Sequence, residues 1–166
     1  MTRSKLRLLL TTGVIGLLLG VQTMAATTTA VSFIRLYTDA NGVSHFSKET
    51  LPLAPVAGGQ GMEANLAVSR IGDVKGVMFA QLKAGATEDW HIAPRRQFMV
   101  CVQGVVEITA SDGQKQRLTP GQFMLLEDTT GKGHITRNFG PDDRIALTIP
   151  LAEGVVIEGV RTSRTR

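Results

Sequence analysis

Gly85-Ala86-Thr87-Glu88-Asp89-Trp90-His91-Ile92-Ala93-Pro94-Arg95-Arg96-Gln97-Phe98-Met99-Val100-Cys101-Val102-Gln103-Gly104 is the stretch whose spacing decides the fold. Five residues separate Gly85 from His91, one separates His91 from Ala93, three lead on to Gln97 and six more to Gly104. Side chains two apart on a strand share a face, so His91 and Ala93 point the same way and Gln97 can rejoin that face after Pro94. Imidazole is the commonest transition-metal ligand, and a carboxamide oxygen is a weaker one. A second half follows downstream: Pro120-Gly121 opens a strand, and three residues stand between His134 and Asn138.

Working outward, the apolar stretches are short, lack helical periodicity and are separated by glycine, proline or Asp-Gly turns, which predicts an all-β chain. Strands are expected over Ser32–Tyr37, Val43–Phe46, Val74–Leu82, Gln97–Val102, Val105–Ala110, Gln114–Leu118, Phe123–Leu126, His134–Asn138, Arg144–Ile149 and Val155–Val160. Asn41-Gly42 and Asp112-Gly113 are hairpin turn signals. Leu51–Gly61 holds two prolines and three glycines and is expected to be a surface loop, not a central strand. No period of about 20 to 50 residues repeats, which argues against solenoids and propellers.

At 166 residues and 43% hydrophobic content, one domain with a single core is expected. Arg3, Lys5 and Arg7 precede an apolar run from Leu8 to Val21 and small residues at Ala25, Ala26 and Ala30. That is the pattern of a secretory signal peptide over residues 1–25, and the run is shorter than the roughly 20 residues a spanning helix needs. Thr23-Met24-Ala25 and Thr28-Thr29-Ala30 are the candidate cleavage sequences, and the mature chain is expected in the periplasm or secreted, with no stable membrane anchor. Removing residues 1–25 leaves fifteen Lys/Arg against 14 Asp/Glu, so the net charge falls from +4 to +1. Little basic surface remains for nucleic acid beyond Arg161, Arg164 and Arg166, which read as a solvated tail over residues 161–166. The single cysteine, Cys101, lies in an apolar run; it excludes an intramolecular disulfide and reads as a small buried hydrophobe.

The spacing Gly85, His91, Ala93, Gln97, Gly104 resembles the first motif of the cupin family, a frame that in the family holds two histidines and a glutamate directed into a barrel. Here His91 keeps the first place, Ala93 replaces the second histidine and Gln97 replaces the glutamate. Pro120-Gly121, His134 and Asn138 are similar to the second motif, with two extra residues before His134 and Glu127 near the place of the family's proline. Val105 to Pro120 fits the two-strand connection between the motifs, so the resemblance covers about Val74 to Ile149. It implies a double-stranded β-helix, or jelly-roll barrel, over residues 62–160, preceded by an N-terminal hairpin and loop over residues 26–61. Family members include dioxygenases, isomerases and decarboxylases and are often dimeric, so a homodimer is expected.

The candidate metal ligands are His91, Gln97 and His134, two imidazoles and an amide oxygen that leave positions open for water or substrate; the cation would be Mn, Fe, Ni, Cu or Zn. The alternative reading of the same three residues is a hydrogen-bonded polar cluster in a ligand pocket without metal. Arg95 and Arg96, at the barrel mouth, are candidates for clamping an anionic substrate, against pairing with Glu88, Asp89, Glu127 or Asp128. Trp90 is a candidate to stack on a ligand ring, against packing on its neighbour strand. Glu127 and Asp128 on one strand face opposite ways, so one of them, with Glu127 preferred, is a candidate to orient His134 from behind. Thr129-Thr130-Gly131-Lys132-Gly133 fails as a phosphate loop, lacking the upstream glycine and the Ser or Thr after lysine, and reads as a turn that delivers His134. His45 belongs to neither motif and reads as a surface or subunit-interface histidine. Two functions follow: a metal-dependent enzyme acting on a small anionic substrate, or a non-catalytic small-molecule binding barrel with a degenerate metal site, favoured by Ala93.

Overall fold

Twelve strands follow one another in the chain: β1 (Ala30–Thr38), β2 (Ser44–Pro52), β3 (Ala54–Pro55), β4 (Ala67–Val68), β5 (Met78–Leu82), β6 (Thr87–His91), β7 (Gln97–Gln103), β8 (Val106–Ala110), β9 (Lys115–Leu118), β10 (Phe123–Glu127), β11 (His134–Asn138) and β12 (Arg144–Pro150). The structure, a computed structural model, describes residues 30–160. The leader expected over residues 1–25 and the basic tail lie outside the described residues.

The last eight strands pair as nested antiparallel partners: β8 with β9 at the centre, then β7 with β10, β6 with β11 and β5 with β12. This nesting is a long hairpin rolled up on itself, the jelly roll. It yields two sheets, β5-β12-β7-β10 and β6-β11-β8-β9, that enclose the core between them. Asp112-Gly113 occupies the central β8–β9 turn, as its sequence predicts. The N-terminal hairpin, turning at Asn41-Gly42, widens the first sheet: β1 pairs parallel with β10, and β2 lies outside β1.

Alternation along the strands of the larger sheet serves two cores. Leu36, Met99, Cys101, Met124, Leu126 and Ala146 face the barrel interior with Val106 and Ile108 of the opposite sheet. Their neighbours Phe98 and Leu125 face outward, where Phe33, Leu51, Leu151, Ile157 and Val160 cover them. Phe33 and Phe123 stack there with ring centroids 5.3 Å apart.

That outer core corrects one expected strand. Val155–Val160 joins no sheet; it crosses the outer face without a ladder and turns at Glu158-Gly159, burying Ile157 and Val160, because an apolar segment can be buried as a cover as well as in a ladder. The strand expected from Val74 begins only at Met78, since the chain bends at Lys75 and Val74 makes an isolated bridge to Leu151. Conversely, Thr87–His91 is a strand without an apolar pattern: as an edge strand pairing only with β11, it leaves acidic side chains in water. Within the expected loop Leu51–Gly61, Leu51 and Pro52 complete β2 and Ala54–Pro55 makes a two-residue ladder with β4.

Candidate functional site

His91 ends β6 and His134 begins β11, and the two are register partners, which brings their rings to 4.3 Å between centroids. The approach depends on the turn before His134. Gly133 has φ +74°, and a Cβ there would collide with the carbonyl of His91; Gly131, at φ +75°, would collide with the carbonyl of Gly42. Glycine is the residue that adopts such backbone without a steric penalty and allows such contact.

Each histidine is fixed through Nδ1. Nδ1 of His91 lies 2.7 Å from the carbonyl oxygen of Asp89. A carbonyl only accepts, so Nδ1 carries a hydrogen, and in the neutral ring the lone pair is then on Nε2. His134 Nδ1 lies 2.5 Å from Oδ2 of Asp128, whose carboxylate is fully buried. Asp128 is in turn held to the first motif, its carbonyl accepting from Ala93 N–H at 3.1 Å.

Both rings line a cavity of about 300 Å³ between the sheets. Gln97, Arg95, Glu88, Thr136, Arg144 and Thr148 supply the rest of its polar wall; Met78, Met99, Ile108 and Leu126 supply much of the apolar remainder. The structure therefore brings His91, Gln97 and His134 to one cavity. Arg95 reaches it as well, two residues before Gln97 and on the same side.

Arg96 and Glu127 do not reach it. Arg35 and Arg96 both donate from Nε to the buried carboxylate of Glu127, and Arg96 Nη1 also donates to the carbonyl of Val155. The reason is alternation: Leu126 lines the cavity, so Glu127 points to the outer face. The residue that orients His134 is Asp128, which lies just past the end of β10 and is free of that alternation. Trp90 also stands off the cavity wall, with Lys132 Nζ 4.1 Å from its ring centroid. His45 is half-buried between Asp112 at 2.8 Å and Asp39 at 3.2 Å. Burial pushes the Cys101 thiol up, which suits an inert core residue.

Thr136, Arg144 and Thr148 are functional candidates that sequence reasoning passed over. In Arg144–Pro150 the apolar Ile145, Leu147 and Ile149 alternate with Arg144, Ala146 and Thr148, so polarity alone assigns the arginine to solvent. The structure inverts this, burying Arg144 and Thr148 and leaving the aliphatic residues half-buried outside.

A resident divalent cation fits these residues only in part. The tethered Nδ1 atoms are what metal-ligating histidines show. Ala93 brings no ligand atom to the wall beside His91, Gln97 is neutral, and a buried guanidinium, Arg144, shares the cavity. Among the described residues no group of three or more His, Cys, Asp or Glu side chains is gathered as a metal site. The donor set does not make up a complete metal centre.

No family model and no curated protein matches the chain. Among solved structures, a cupin domain from Bordetella pertussis Tohama I is 18% identical with a TM-score of 0.38, covering 51% of this chain and 98% of its own. A cupin superfamily protein from Desulfitobacterium hafniense is 18% identical with a TM-score of 0.36, covering 49% and 82%. The Cnp3 cupin domain of Schizosaccharomyces pombe is 13% identical with a TM-score of 0.39, covering 73% and 88%. The nested strand order itself defines the fold: a single jelly-roll barrel of the kind cupins share, extended by an N-terminal hairpin.

Proposed function

We propose that the chain is a small-molecule-binding cupin whose barrel cavity receives its ligand without a resident metal. The observation that carries this reading is the pair His91 and His134, each tethered through Nδ1, at the wall of a cavity with a mixed polar and apolar lining. Preformed cavities of roughly 300 Å³ and above with a few convergent polar groups are ordinary ligand sites. In this one the two Nε2 atoms accept hydrogen bonds from a ligand hydroxyl or amide, Gln97 offers both a donor and an acceptor, and the methionines enclose the apolar part.

The leader sequence supports a periplasmic or secreted site of action, where the ligand would be met outside the cytoplasm. Elemental analysis of the untagged chain, purified without chelator, tests the metal-free claim: far less than one Mn, Fe, Ni, Cu or Zn per chain is expected. A stoichiometric metal lost in both His91→Ala and His134→Ala would establish a metal-dependent protein instead.

A further inference from the structure

Arg144 is the one side chain in the cavity whose surroundings ask for a group from outside. It is 6% exposed, yet its Nε has no hydrogen-bond partner and its Nη1 meets only the thioether of Met99 at 3.2 Å. Arg35, the other buried arginine, is handled differently: it pairs with Glu127, which it shares with the half-buried Arg96. Removing a cation from water costs several kcal/mol unless a counter-charge and hydrogen bonds replace the water. Burial indeed pushes the Arg144 guanidinium down from its ordinary value, with the charge of Glu88 working the other way. Glu88 shares the cavity wall but makes no ion pair with Arg144, and it belongs to the exposed edge strand β6.

We propose that Arg144 anchors a carboxylate of the bound molecule, so that the cavity takes small carboxylic acids; this rests on the small-molecule reading of the same cavity and deepens it. A guanidinium presents parallel N–H groups that match the two oxygens of a carboxylate. Thr148 lies on the same face of β12, and Gln97 stands beside it on the cavity wall as a further donor. His91 and His134 then meet the ligand's hydroxyl, keto hydrate or amide hydrogens. The cavity holds no lysine, and the turn at 129–133 is occupied in bracing the N-terminal hairpin, which favours a singly charged carboxylate over a phosphate.

Calorimetric titration of the whole chain tests this with a panel of carboxylic acids of two to six carbons, each paired with its uncharged amide, and with inorganic phosphate as the other anion. At least one acid is expected to bind tenfold or more tightly than its amide. Arg144→Gln should remove that preference, bringing the acid's affinity down to about that of its amide, whereas Arg70→Gln, at an exposed arginine away from the cavity, should change the acid's affinity less than threefold. Arg144→Met should fold and melt at or above the wild-type temperature, since it removes an uncompensated buried cation. A fall of more than about 5 °C, several times the effect of a neutral change in a domain this size, would make Arg144 a structural residue and overturn the proposal. So would phosphate binding more tightly than every acid, or an acid preference that survives Arg144→Gln. Amides binding as well as acids would overturn the role of Arg144 and leave the small-molecule cavity standing. Binding of nothing in the panel would remove both.

Discussion

At the scale of single residues, the site depends on which side chains are held and by what. His134 is set by Asp128, a buried carboxylate with one oxygen on Nδ1 and the other, Oδ1, without a partner. Asp128→Asn keeps the shape and removes the charge that orients the ring. Partners that orient a metal-ligating imidazole typically matter by about tenfold or more in metal affinity, and a ligand held by the same imidazole depends on the same orientation. We therefore expect about tenfold weaker ligand binding in calorimetry with little change in melting; unchanged affinity would deny Asp128 its positioning role. Glu127 makes the opposite case. It joins Arg35 and Arg96 on the outer face, and breaking a buried ionic cluster from its shared member typically costs about 3–5 kcal/mol. Glu127→Ala should lose stability on that order in denaturant unfolding while retaining ligand affinity in the folded fraction. A loss of affinity with no loss of stability would return Glu127 to the site.

Among the elements, the N-terminal hairpin does more than widen a sheet. Ser44, fully buried, donates from Oγ to the carbonyl of Gly133 at 2.6 Å and accepts from Ser111 N–H at 2.7 Å. Lys132 N–H donates to the carbonyl of Gly42 at 3.1 Å, and Thr38 Oγ1 to that of Thr130 at 2.9 Å. The hairpin thus grips the turn that presents His134. His45 adds a pH-dependent tie to the same hairpin. Burial opposes its charged form, but hydrogen bonds and charge from Asp39 and Asp112 outweigh this and raise its pKa. A raised histidine pKa contributes stability that is full below its ordinary value near 6.5 and is lost as pH rises through the folded value. Tyr37 faces the ring too, 5.7 Å between centroids, and does not alter that sign. His45→Gln should therefore cost more at pH 5.5 than at pH 8.5, by up to about 1 kcal/mol for a partly exposed pair. A cost independent of pH across that window would rule the linkage out.

For the whole molecule, the barrel was legible where turns and spacing speak. Asn41-Gly42, Asp112-Gly113 and the Gly85-to-Gly104 frame located hairpins, strands and the meeting of His91 with His134. What stayed hidden depended on faces. A sheet covered on both sides gives no polarity signal for inside, so nothing in Arg144–Ile149 marks Arg144 as buried, Glu127 reads as a site residue and Val155–Val160 as another strand. The edge strand at Thr87–His91 was invisible because water, not a core, covers its acidic side chains.

The inner core borders one cavity, the hairpin braces the turn that brings His134 to it, and the chain's three histidines allow it to be read directly. Two line the cavity and the third, His45, sits at the hairpin between Asp39 and Asp112. NMR of the three imidazole rings in chelator-treated protein, during titration with the acids and amides above, should show saturable shifts for His91 and His134 with one shared affinity, and none for His45. Shifts that appear only after a divalent metal is added, or that leave His91 and His134 unmoved while ligand binds, would contradict a metal-free small-molecule site between the sheets.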